Sequence, residues 1–179
     1  MGTTTTLITV EEFLKLPEVE GERLELINGE VISMGQAGYP HEITKSNVNR
    51  FLTVWSVQNP PFRVFCEAAY QVDDRNCLIP DLSLDSNRVA PGSTGVFQGA
   101  PELAIEVVSS ESAARLERKI QLYLAHGGKS VWAIYPQERM VRIEDAAGGS
   151  KRFYDNQLFV DPTVLRGFSV PTSAIFDGV

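Results

Sequence analysis

Between Pro80 and Lys119 the sequence sets two carboxylates and one ammonium where charge is unusual. Asp81 follows a proline and opens the alternating run Leu82-Ser83-Leu84, and the stretch Pro101 to Val108 is apolar except for Glu102 and Glu106. Both stretches read as strands. If they pair, Asp81 and Glu106 converge at one sheet end as hard oxygen ligands of the kind a magnesium or manganese ion takes, and the main-chain oxygen of Val107 would add another. An ion held there would polarise a phosphoryl oxygen and acidify a bound water, while Lys119 stabilises charge developing on the phosphate or orients the attacking water. The chemistry such a set would allow is metal-dependent cutting of a phosphodiester. Each residue alone has a plainer account: a turn for Pro-Asp, a solvated edge glutamate, a lysine whose stem lies along apolar surface. A charge inside an apolar strand is the hardest to set aside, because an unpaired buried carboxylate is costly.

The elements around these residues can be placed from local pattern. Thr9 and Glu12 fit a capping box, so Val10 to Leu16 should form a short helix that stops before Pro17. Arg23 to Ile27, Asn28-Gly29 and Glu30 to Met34 predict a β-hairpin, since Asn-Gly supplies the positive φ angles of a tight type I′ turn. Glu25 falls on the strand face opposite Leu24 and Leu26, where a solvated glutamate is the simple expectation. Apolar residues at helical spacing predict a helix from His41 to about Val57, with His41 expected to cap it or lie on the surface. Phe62 to Val72 reads as one strand, turning at Asp73 to Asn76 into Cys77 to Ile79. Asn87 to Ala100, rich in glycine and proline, reads as a long loop that could drape over a substrate.

After Glu106, Ser109, Ser110 and Ser112 each offer an N-cap for a helix reaching about His126, with Lys119 at the border of its apolar stripe. Ser130 to Tyr135 and Arg139 to Glu144 read as two further strands, so strand, helix and strand follow one another from Glu102 onward. The segment after Gly148 suggests short strands and edge packing without chemistry.

The 179 residues, with 43% hydrophobic and 22% charged, suit one folded domain over residues 1–179, its start, 1–8, expected to be loose. The net charge of −7 argues against broad attraction to a polyanion, although a local cationic face and a metal can offset it where a substrate sits. Cys66 and Cys77 form no metal-binding or redox pair and are expected to be buried or half-buried free thiols. No leader segment or membrane-length apolar run is evident, so the expected location is the cytoplasm.

Taken as an ordered set, Pro80-Asp81, Ile105-Glu106-Val107, the serine-rich helix start and Lys119 resemble the PD-(D/E)XK nuclease superfamily and, within it, the Uma-type endonucleases. Arg23-Leu24-Glu25-Leu26-Ile27-Asn28-Gly29-Glu30, His41, Tyr123 and Val131-Trp132 extend the resemblance over most of the chain. It implies an α/β fold with a restriction-endonuclease-like core, a mixed sheet flanked by helices and an N-terminal hairpin. It also implies a magnesium- or manganese-dependent site that cuts DNA, with Asp81 and Glu106 as metal ligands, Glu25 as a further acid and Lys119 as the catalytic lysine. Two positions depart from the pattern. The superfamily's lysine stands two residues after the second acid, where this chain has Val108, so the role passes to Lys119. Where related chains often carry an acid before the helix lysine, this one has Arg115.

Three functions are therefore compatible with the sequence: a metal-dependent endonuclease, a non-catalytic nucleic-acid-binding or regulatory relative, and a structural protein whose dimerisation buries Trp55 or Trp132. Cutting both strands of a duplex would favour a homodimer.

Overall fold

The Asn28-Gly29 turn is built as its residues demand, with φ of 53° and 81°, and it joins β1 (Arg23–Ile27) to β2 (Glu30–Met34) in unbroken antiparallel register. The computed structural model describes residues 7–17, 23–35, 37–86 and 95–179. Residues 1–6 and most of the Asn87 to Ala100 loop lie outside that set, as does most of Pro17 to Gly21. Ahead of the hairpin, α1 (Val10–Phe13) carries the expected capping box, with Leu14 as its C-cap, and ends three residues earlier than the spacing suggests.

Then come α2 (Tyr39–Gln58), β3 (Arg63–Cys66), β4 (Tyr70–Asp73), β5 (Asn76–Leu78), β6 (Leu82–Asp85), β7 (Phe97–Gln98), β8 (Leu103–Val107), α3 (Ala113–Ala125), β9 (Ser130–Tyr135) and β10 (Met140–Asp145). The chain closes with β11 (Ser150–Tyr154), β12 (Leu158–Phe159), β13 (Val170–Pro171) and α4 (Thr172–Ile175). The stretch expected to be one strand from Phe62 to Val72 is two, β3 and β4, in different sheets. The break falls at Glu67, whose φ of 54° no extended strand can hold.

Two sheets make the body. One has the order β2-β1-β5-β4-β7, the other β11-β10-β9-β8-β6-β3, and β12 pairs with β13 separately. The larger sheet is mixed: β8 and β9 are parallel, as a strand-helix-strand crossover through α3 requires, and its other pairs are antiparallel. Period-two alternation divides β8 between two cores. Leu103, Ile105 and Val107 face Val48, Leu52 and Trp55 of α2, whereas Ala104 faces Leu116, Ile120 and Tyr123 of α3 together with Ile27, Tyr70 and Leu78 of the smaller sheet.

Trp55 and Trp132 are buried within the chain, donating their indole N–H groups to Arg166 O at 3.1 Å and Asp161 Oδ2 at 2.8 Å. Neither is left for a partner to cover. The cysteines are free thiols; Cys77 is buried as expected, but Cys66, at the end of the edge strand β3, is exposed rather than half-buried. Among the described residues no helix is long and apolar enough to cross a membrane.

Candidate active site

The pairing of β6 with β8 sets Leu82 opposite Ile105, which carries Asp81 and Glu106, one step further along each strand, to the same end of the sheet. Asp81 is fixed at both oxygens. Its Oδ1 lies 3.1 Å from His41 Nε2, and its Oδ2 accepts the Val107 N–H at 2.7 Å. Both acids border a small cavity of about 60 Å³ with Arg23, His41, Val107, Ser109, Ser110, Glu111 and Arg115. A hollow of about 420 Å³, running past Val108 and Tyr135 to Glu138, shares His41, Ser109 and Ser110 with it.

Glu106 shares its parity with Ala104 and so points toward α3. There its Oε1 accepts the Tyr123 hydroxyl at 2.9 Å and lies 2.8 Å from Lys119 Nζ. Lys119 Nζ also lies 3.1 Å from Glu25 Oε1, which accepts the Ile79 N–H at 2.6 Å. Glu25 and Lys119 are both 0% exposed. The expectation of a solvated Glu25 is thus overturned, because the strand face opposite Leu24 and Leu26 lies under α3. Lys119 is not at a border either but fully enclosed, reaching the acids from behind the sheet end.

His41, expected as a cap or a surface residue, is buried, and its second ring nitrogen lies 3.2 Å from Glu42 Oε1. The first turn of α2 packs it against Asp81, a contact that helical periodicity does not encode. Glu111 was not singled out in the sequence at all. It stands in the loop before Ser112, the N-cap of α3, and one of its oxygens is buried without a hydrogen-bond partner. A charged residue next to a candidate helix start was the available signal.

The electrostatics follow from crowding. Burial pushes Asp81 up, but His41, the Val107 N–H and Lys119 outweigh it and hold its carboxyl below the ordinary value. Burial pulls His41 down, and the contacts with Asp81 and Glu42 more than reverse that. Burial drives Glu106 well above the usual carboxylate range against the pull of Lys119, with Asp81, Glu25 and Glu111 adding to the rise. Glu111 is raised chiefly by burial. Burial lowers Lys119 less than Glu106, Glu25 and Glu111 raise it, so the ammonium is retained. Four acids crowd one ammonium and one imidazole, so Glu106 and Glu111 are driven toward the neutral form where no further cation joins them.

That crowding, the carboxylate oxygens at the cavity and the partnerless buried oxygens of Glu25 and Glu111 suit a hard dication. Among the described residues no three of His, Cys, Asp and Glu gather into a metal cage. The fit is therefore to an ion that keeps several waters, as magnesium does with one or two carboxylates. The cavity has room for them, since one water needs about 10–15 Å³.

The Uma2 family, described as "Putative restriction endonuclease", matches residues 10–172. A crystal structure described as that of a "putative nuclease belonging to DUF820", from Anabaena variabilis, is similar with a TM-score of 0.85 and 25% identity over 95% of this chain and 98% of that one. No curated protein matches significantly. The close structural likeness bears out the restriction-endonuclease-like α/β fold, and the family match takes in β1, β6, β8 and α3 with every acid described above, so the chain belongs to the Uma2 family.

Proposed function

We propose that this chain is a metal-dependent endonuclease that hydrolyses DNA phosphodiester bonds. Asp81 and Glu106 would be the ligands of a magnesium or manganese ion, with the Val107 main-chain oxygen as a further donor. The observation that carries the reading is the meeting of Asp81 and Glu106 at one cavity with further acids crowded behind them. When bound, the ion would polarise a phosphoryl oxygen and make a water acidic enough to attack phosphorus.

The chain's own groups supply the positioning. His41 and the Val107 N–H lock the Asp81 carboxylate in one orientation. Tyr123 and Lys119 both engage Oε1 of Glu106, so Oε2 is the oxygen left for the cavity. Lys119 acts through Glu106 and Glu25 as a positioning and charge-balancing group, and Glu25 is the further acid that shares its ammonium. Cutting both strands asks for two such sites, so a homodimer belongs to the proposal, and sedimentation showing only monomer would remove that part.

Supercoiled plasmid tests the reading. Nicking should appear with magnesium or manganese, stop in EDTA and be absent in Asp81→Ala and Glu106→Ala. Salt-dependent DNA binding without nicking would select the non-catalytic relative, which Val108 and Arg115 at their two positions favour.

A further inference from the structure

Two arginines from different elements share the wall of the acidic cavity: Arg23 at the start of β1 and Arg115 in the first turn of α3. The other half-buried arginines among the described residues are tied to neighbours. On the same helix Arg118 donates to Asn28, and elsewhere Arg142 meets Glu117 and Lys129 meets Glu102. Arg115 differs. Its main-chain N–H is taken by the Ser112 cap, but among the described residues its guanidinium meets no hydrogen-bond or ion-pair partner, although it is half-buried beside the acids. Arg23 is aimed at the cavity from the other side by Glu67, whose Oε1 lies 2.6 Å from one guanidinium nitrogen and 2.9 Å from Lys45 Nζ.

Glu67 makes this contact from a left-handed backbone, φ 54°, and its N–H donates to the Asp81 carbonyl at 3.2 Å. A non-glycine residue in that region stores strain that surrounding structure must hold. The same residue thus anchors Asp81 and orients Arg23.

We propose that Arg23 and Arg115 form a phosphate clamp on the nucleic-acid backbone, holding it over the Asp81–Glu106 cavity. This rests on the nuclease reading and identifies its substrate contacts. A guanidinium presents a planar fork that matches a phosphate in two parallel hydrogen bonds, and a polyanion approaching a chain of net charge −7 needs cations where it lands. Arg115 adds a cation to the wall of the site, while Glu111 supplies a carboxylate to the same wall.

The test is binding of a short fluorescein-labelled duplex, in EDTA and in calcium buffer, over a series of salt concentrations. Arg115→Ala should bind about tenfold more weakly, the worth of one charge-assisted contact. Its slope of log K against log salt should be shallower by about 0.9 for the one phosphate lost. Arg115→Lys should keep the slope, because the charge remains, and recover only part of the affinity, because the fork is gone. A loss of packing alone would leave the slope unchanged, and thermal melting of each variant checks the fold. Arg23→Ala should reproduce the slope change. Unaltered affinity and slope in Arg115→Ala, with the wild-type protein binding, would overturn the clamp alone. A wild-type protein that binds in neither buffer removes the clamp too, and absence of plasmid nicking alongside would remove the nuclease reading with it.

Discussion

On one side of β8, Leu103, Ile105 and Val107 meet the apolar residues of α2. On the other, Glu106 meets Tyr123 and Lys119 of α3 with Glu25 beyond. The strand is the same and the burial is the same; the energetics are opposed. The α2 face gains from removing apolar surface from water, roughly 25 cal/mol per Å². The α3 face desolvates charges, which close pairing only partly compensates. A fold needing nothing but stability would fill both faces as it fills the first. Buried charge on the second therefore points to a use other than holding the molecule together.

The comparison can be broken by mutation. The largest expected effect is from Lys119→Ala, which leaves Glu25 and Glu106 facing each other without a counter-charge and should cost about 3–5 kcal/mol. Denaturant unfolding measures it. Adding Glu25→Gln should recover part of the loss, since one fewer carboxylate is stranded; a double variant no better than the single would show that the cost is not electrostatic.

On the α2 face Leu52, 0% exposed, should lose about 2–5 kcal/mol on truncation to alanine through lost transfer energy and a cavity. No second substitution among the charged residues should rescue it. Nicking per folded molecule should be retained, and its loss would mean that the two faces are not separable.

The smallest effect is a pH dependence. Burial pushes the Cys77 thiol from 9.0 up to about 11, with Glu25 adding to the rise. A group raised on folding contributes stability that is whole below its unfolded pKa and lost as pH climbs through the folded one. Melting temperature should therefore fall between about pH 9 and about pH 11, and Cys77→Ala should flatten that fall. Cys66 should react with a thiol reagent well before Cys77, and equal rates would contradict the burial.

Local chemistry made much of this legible. Asn28-Gly29 fixed a hairpin, Thr9 and Glu12 a helix start, and one carboxylate at the start of an apolar strand with another inside a second pointed to the sheet end where they meet. What stayed hidden depends on which face is covered. Alternation places Glu25 opposite Leu26 but cannot say that α3 lies over it. Helical spacing finds α2 but not that its first turn presses His41 onto Asp81. Glu67 breaks a plausible strand through a backbone angle that glutamate rarely adopts, so nothing in its type announced the corner. Glu111 gained its place from a loop whose path follows the docking of α3.

Lys119 reaches its two carboxylates only once α3 lies across both sheets, and Glu25 comes from the first strand of the chain. Contacts so distant in sequence carry a loop-closure cost and form after local ones. While the polypeptide is still emerging, its acids remain hydrated and apart, so the Glu25–Lys119–Glu106 cluster assembles last, after the scaffold that holds it.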